Sequence, residues 1–440
     1  MKHSHPIFSG TVWLTGALLL LRSIGLLYQI LLAKVFTATE LGELELFMAV
    51  YGFATTLAVS GVRLSSTRLI IIGETRGYAP QCVLKKTVVC SLLFGITAMA
   101  FLWLFAPFAS QSFLSNASLT SPLRTLALCL PILSAESCFG GYYTAIGKAT
   151  TFTLIQVPQQ LISLVLCTIL LHNFLSFGLH IAYTALAAGL LISELIGLIL
   201  IITFLPRNYN PSNCNGNMHL SDFFQIALPD AGSSWLRSAL VAAKNIMIPR
   251  GLQQASGDSS SALATYGTIQ SMTFPVLSFP SVFVSAFNTQ MLPEISRCHE
   301  SNQRKLLQKK MRKNCLAVLI YALICSTLIF VSSDWLGDTL YPESKVSTYL
   351  RLLAPLIPLM YLDTTVDTFL RGMGLQVSSM FYNIIDAAVC LSMVLVLLPR
   401  IGITGYILML YTSEFLNLFL SLHKLQTELY SPVQYKTPVN

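Results

Sequence analysis

Apolar runs of about 20 residues, each long enough to cross roughly 30 Å of hydrocarbon, recur along the chain and are parted by short polar stretches. Inside lipid each backbone amide must be satisfied within its own segment, so the runs predict helices. Twelve are expected, near 10–33, 43–62, 87–108, 123–146, 150–171, 178–205, 222–248, 262–291, 314–334, 347–371, 376–398 and 402–423. The alternation over about 10 residues that marks an outer-membrane strand is absent. The first run is too long for the core of a cleaved signal peptide, and no small-residue cleavage site follows it. The pattern therefore predicts an all-α polytopic membrane protein.

Composition sharpens this. The chain is 54% hydrophobic and 10% charged, against about 25% charged for a soluble domain; such a chain cannot cover a water-exposed surface. Ten cysteines are scattered without a C-x-x-C pair, which reads as small packing residues and argues against a disulfide framework or a zinc site. No phosphate loop, nucleophile elbow or H-E-x-x-H occurs. Catalytic residues, a metal centre and a cofactor are not expected, and the chain is not read as an enzyme.

Basic residues alternate between loops. One face carries Arg63, Arg68, Arg76, Lys85 and Lys86, then Arg297, Arg304, Lys305, Lys309, Lys310, Arg312 and Lys313, while the opposite loops are poor in them. The positive-inside rule places this face and both termini in the cytoplasm, in a cytoplasmic membrane. The formal net charge of +8 is this bias and implies anionic membrane lipids as partners, not nucleic acid.

The chain also repeats itself. Leu21-Arg22-Ser23 recurs as Leu236-Arg237-Ser238, and at the same offset Gln29 is matched to Lys244 and Thr15 to Asp230. Further on, Pro131, Gly147 and Gln159 recur at one common offset as Pro358, Gly374 and Asp386. A shorter loop then resets the register, which brings Ser193-Glu194 onto Ser413-Glu414. Two six-helix lobes follow, residues 1–205 and 222–440, joined by a turn-rich cytoplasmic linker at 206–221. An even helix count gives both lobes one orientation, as in parallel-repeat transporters.

Polar groups within the spans are the candidate site. Asp230, Arg237 and Lys244 are spaced by seven on one face of the seventh helix, and Thr15, Arg22 and Gln29 by seven on the first. A cation at mid-bilayer costs about 2.5–3.5 kcal/mol on insertion scales, so matched arginines in matched helices suggest a shared polar cavity able to hold phosphate. Structural pairing with Glu45, Asp230 or Glu136 is the competing reading. Substrate contacts are expected at Arg22, Arg237, Lys244, Gln29 and Gln270, the last on an eighth helix that Pro275 and Pro280 should bend. Asp230, Asp386, Asn383 and Asn417 are candidates for a coupling Na+ or H+. Asp367 and Arg371 read as a structural pair one turn apart, and Glu194 and Glu414 as hydrogen-bonding groups in equivalent places.

Ile248-Pro-Arg-Gly-Leu-Gln-Gln-Ala-Ser-Gly257, Ala264-Thr-Tyr-Gly267, Met291-Leu-Pro-Glu-Ile-Ser296, Ala354-Pro-Leu-Ile-Pro-Leu-Met-Tyr-Leu362 and Leu398-Pro-Arg-Ile-Gly-Ile-Thr-Gly-Tyr406 resemble the polysaccharide-transporter branch of the multidrug/oligosaccharidyl-lipid/polysaccharide (MOP) exporter superfamily, the branch of the stage V sporulation B group. The resemblance covers nearly the whole chain. It implies a V-shaped two-lobed fold with a central cavity lined by the first, second, seventh and eighth helices, and is similar to lipid II flippases of the MurJ type, whose cavity arginines engage the lipid pyrophosphate. Many relatives have fourteen spans; twelve are expected here. The expected activity is flipping of an undecaprenyl-pyrophosphate-linked saccharide, a lipid II-type peptidoglycan precursor for spore cortex or envelope, by alternating access. A cation-coupled multidrug antiporter, and a non-transporting scaffold that recruits envelope-synthesis enzymes, are the alternatives.

Overall fold

A chain this apolar leaves its backbone no water to bond, and the computed structural model answers with helix throughout: every regular element among the described residues is helical. Those residues are 5–75, 78–113, 116–206, 220–301 and 303–430, excepting the side chains of 5–15, 220–222, 230 and 430. The expected linker at 206–221 lies almost wholly outside them.

The chain forms two compact units, Met1–Met272 and Thr273–Asn440. The first contains α1 (His5–Val35), α2 (Ala38–Val59), α3 (Val62–Thr75), α4 (Pro80–Ser112), α5 (Thr120–Ala127), α6 (Cys129–Ala145), α7 (Ala149–Phe174), α8 (Leu179–Thr203), α9 (Leu220–Ser256) and α10 (Ser259–Gly267). The second contains α11 (Phe274–Ser278), α12 (Ser281–Glu300), α13 (Arg304–Val331), α14 (Ser333–Leu340), α15 (Lys345–Leu353), α16 (Ile357–Gly372), α17 (Gln376–Val396) and α18 (Leu398–Tyr430). By packing, then, the seventh span and the start of the eighth group with the first six, whereas the sequence repeat divides the chain at 206–221. Contact and repeat are different divisions of the same chain.

Nine helical stretches among the described residues are long and apolar enough to cross a membrane, and α10–α11 with α12 form one more, bent by 53°. The expected spans at 222–248 and 347–371 are helical too, as α9 and as α15–α16, but they carry Asp230, Arg237 and Lys244, and Asp363, Asp367 and Arg371. Where the helices break, proline is the usual cause, since it removes an amide and clashes with the preceding turn. Pro131 follows the break between α5 and α6; Pro355 and Pro358 flank the one between α15 and α16; Pro280 sits in the bend before α12. The first two breaks stand at equivalent places in the repeat, where Pro131 is matched to Pro358.

Two basic segments that the sequence suggested as loops are largely helical. Residues 62–75 form α3, carrying Arg63 and Arg68, because the turn at Ser60–Gly61 ends α2 and restarts the helix. Gly61 sits at φ +75° with the Ala227 carbonyl against the place a Cβ would take, so only glycine makes that turn. Likewise α12 runs to Glu300 and α13 begins at Arg304, with Lys310 paired to Glu294 at 2.7 Å.

A core cluster of the first unit joins α3, α4, α6, α7, α8 and α9. Phe94 of α4 is its aromatic centre, with ring centroids 6.1 Å from Phe223, 5.7 Å from Phe224 and 6.3 Å from Trp235; such offset rings add about 0.5–1.5 kcal/mol each beyond area burial. α2 starts with a reciprocal cap: the Thr37 amide donates to Glu40 Oε2 at 2.8 Å and the Glu40 amide to Thr37 Oγ1 at 3.4 Å. The cysteines fill space as expected in most places, eight being free and seven of those buried. Cys82 corrects that reading, because it is disulfide-bonded.

Candidate functional site

The basic stripes lie on two helices of the first unit. Arg22 is exposed on α1 and Gln29 half-buried two turns on; Arg237 is exposed on α9 and Lys244 half-buried two turns on. α9 packs on α2, α3 and α4, and Ser238, the neighbour of Arg237, donates to Thr56 Oγ1 of α2 at 3.0 Å. Among the described residues no carboxylate forms an ion pair with Arg237 or Lys244. Of the acids considered as structural partners for the arginines, Glu45 accepts from Ser271 at 2.7 Å, and Glu136 from Gln159 at 3.4 Å. The side chains of Thr15 and Asp230 lie outside the described residues. Gln270 falls on a π-helical turn, Thr268–Thr273, an irregularity frequent at functional sites and placed just before the bend that the prolines predicted.

A second group of polar residues is packed inside each unit, and the repeat relates the two groups. In the first unit, Gln159 of α7 donates through one amide nitrogen to Glu194 of α8 at 2.8 Å and to Glu136 of α6 at 3.4 Å. Glu136 and Gln159 are only 6% and 8% exposed. The register that matches Pro131 to Pro358 carries Glu136 onto Asp363 and Gln159 onto Asp386. The register that matches Glu194 to Glu414 carries Ser193 onto Ser413 and Gly197 onto Asn417. In the second unit, Asn417 of α18 donates to Asp363 of α16 at 2.9 Å, and Ser413 to Asp386 of α17 at 2.8 Å. Asn383 spends its amide within its own helix, donating to the Ser379 carbonyl at 2.8 Å. The structure thus brings Asn417 to Asp363, and Asp386 to Ser413, without placing Asn383 against either carboxylate.

Asp363 was visible as an intramembrane acid but was not among the expected coupling residues. It stands at the repeat position of Glu136, which was the available signal. Asp363 Oδ1 and Asn417 Oδ1 are both buried without a hydrogen-bond partner, an unusual state for oxygens in a protein interior. The Asp367–Arg371 pair forms as expected, and Asp367 also accepts from Ser379. Glu194 is hydrogen-bonded as expected. Among the described residues no cluster of histidine, cysteine and carboxylate side chains has the form of a metal site.

Set against known protein families, residues 7–299 match the model described as "Polysaccharide biosynthesis protein". The chain belongs to that family. Residues 255–398 also match the MatE model. Stage V sporulation protein B of Bacillus subtilis (strain 168) is 23% identical over 422 residues, spanning 92% of this chain and 80% of that protein. Among solved structures, an inward-facing multidrug resistance MATE family transporter of the MOP superfamily superposes with a TM-score of 0.73 at 14% identity, covering 94% of this chain and 96% of that one. A MOP superfamily transporter from Pyrococcus furiosus, described as having a binding pocket of reverse polarity, superposes with a TM-score of 0.66 at 14% identity, covering 96% of each chain. At these identities the structures establish a shared fold, so this member of the family is a multi-pass membrane protein with the MOP exporter fold.

Proposed function

We propose that this protein flips an undecaprenyl-pyrophosphate-linked saccharide, of the lipid II type, across the cytoplasmic membrane by alternating access, with both termini in the cytoplasm and no bond made or broken. The observation that carries the reading is Arg237: a guanidinium midway along α9, exposed, with no carboxylate partner among the described residues. A cation kept within a membrane helix against the cost of burial is suited to an anion that comes and goes. Arg22, exposed on α1 of the same unit and matched to it by the repeat, supplies the second guanidinium; two planar forks fit a pyrophosphate better than ammonium groups do. Lys244, Gln29 and Gln270 extend the polar lining. Membership of the polysaccharide biosynthesis protein family supports a saccharide-bearing cargo.

The half-buried carboxylates of the second unit favour a cation as the driving ion. Asp386 and Asn417, with Asp363, offer oxygens for Na+ or a carboxylate for H+, and two of those oxygens lack partners; Asp230 and Asn383 complete the set to be tested. The same acids favour the second reading, a cation-coupled antiporter for cationic drugs. Lipid II translocation in vesicles reconstituted with the wild type and with Arg22→Ala plus Arg237→Ala separates the two. Each charge-assisted bond is worth about 1.5–3 kcal/mol, so flipping should fall at least about tenfold in the double variant. Flipping at the wild-type rate overturns the pyrophosphate reading, and drug efflux without flipping establishes the antiporter.

A further inference from the structure

The repeat sets apart an arginine at the far end of α4. In the second unit Arg351 lies over the Phe330 ring, 6.0 Å from its centroid, and is neutralised by Asp334 at 2.7 Å. In the register that matches Pro131 to Pro358, these three residues fall on Arg124, Trp103 and Pro107. The cation–ring contact is kept, with Arg124 over Trp103 at 5.5 Å. The carboxylate is not: proline stands where Asp334 would be, and Arg124 has no ion pair among the described residues. Its Nε is buried and without a hydrogen-bond partner.

In place of the carboxylate there is room. Arg124 and Trp103 line a cavity of about 510 Å³ with the hydroxyl-bearing Ser118, Thr120, Ser121 and Thr125, and no acid is among its described lining residues. Arg250 of α9 adds a second positive charge at this end of the unit, donating to the Ser112 carbonyl that ends α4 and lying 5.9 Å from the Phe113 ring centroid. Three of those hydroxyls already donate within the protein, Ser118 to Asn116 Oδ1, Thr120 to the Ala117 carbonyl and Thr125 to the Ser121 carbonyl. The guanidinium is therefore the donor an oxyanion would meet, beside a ring and without a carboxylate to compete. We infer that the Arg124 cavity binds the phosphate ester of an anionic headgroup, which takes the place that Asp334 occupies in the other half of the repeat. The site is separate from Arg22 and Arg237 and does not rest on their role.

Binding to the full-length protein in detergent, measured by native mass spectrometry, tests it. Phosphatidylglycerol should bind more tightly than phosphatidylcholine, whose phosphate is the same but whose trimethylammonium is repelled by Arg124 and Arg250. Arg124→Gln should weaken phosphatidylglycerol binding at least about tenfold, the scale of one charge-assisted bond. Arg124→Gln should lose that preference, Arg124→Lys keep part of it, and Arg351→Gln leave it intact, because Asp334 already occupies Arg351. Pro107→Asp should restore the missing salt bridge and displace the lipid without lowering the melting temperature. Should that variant fail to fold, the three arginine variants decide alone. Soluble glycerol phosphate is the second arm: binding as tight as that of phosphatidylglycerol assigns the site to free phosphate esters, and weaker binding assigns it to lipid. An unchanged preference in Arg124→Gln, or an equal loss in Arg351→Gln, overturns the inference.

Discussion

A carboxylate packed among apolar side chains needs a donor, and each half of this chain supplies one from a different helix. Glu136 receives the amide of Gln159 from α7; its repeat mate Asp363 receives that of Asn417 from α18. The exchange has a steric reason. A Cβ at Gly197, the mate of Asn417, would collide with the Gln159 amide, so the long glutamine fills in one half the space that asparagine fills in the other. Gly197→Asn should therefore overpack the first unit and cost about 1–3 kcal/mol, read as a lower melting temperature in detergent. Adding Gln159→Asp, which copies the second half, should recover about half of that loss. If the double variant melts no higher than Gly197→Asn, the exchange is not the reason for the two arrangements. These carboxylates were visible in the sequence as intramembrane acids, but their partners were not, because each hydrogen bond joins residues 23 to 54 positions apart.

At the scale of helices, periodicity sufficed to find the spans, and proline to place most of their breaks. The helical course of α3 and the start of α13 escaped because charged residues lower their hydropathy without lowering helix propensity. What hydropathy could not show is which glycines are crossing points. A Cβ on Gly42 of α2 would strike the Leu263 carbonyl of α10, and one on Gly267 of α10 would strike the Ala38 carbonyl and the Gly42 amide. Two backbones that close can be parted only by moving a helix, the small-residue packing that membrane helices use without a hydrophobic drive between them. Gly52 lies on the same α2 with nothing within 4 Å of its Cβ position. Gly42→Ala and Gly267→Ala should thus each lower the melting temperature, by the equivalent of about 1–3 kcal/mol, whereas Gly52→Ala should be neutral or stabilising by up to about 1 kcal/mol. Three equal melting temperatures would show that α2 and α10 are not held at this distance.

For the molecule as a whole, the repeat is the feature from which most else follows: breaks at matched prolines, and acid clusters and arginines over rings at matched positions of the repeat. It was legible in the sequence only through a few identities. Its consequence for topology can be tested directly. The basic α3–α4 and α12–α13 turns stand at junctions of one parity, and Arg124 and Arg351 at junctions of the other. If the positive-inside rule governs, a cysteine introduced at Ala117 should react with a membrane-impermeant maleimide added to intact cells, and one introduced at Gln303 should react only after the membrane is opened, both in a background whose accessible native cysteines have been replaced. Labelling in the reverse order would invert the molecule in the membrane. It would move the Arg124 cavity to the inner leaflet, where anionic lipid is delivered, while leaving the chemistry of that cavity and of the Arg22–Arg237 pair unchanged. The leaflet is thus set by the loops, whereas what the Arg124 cavity binds is set by the acid that its half of the repeat lacks.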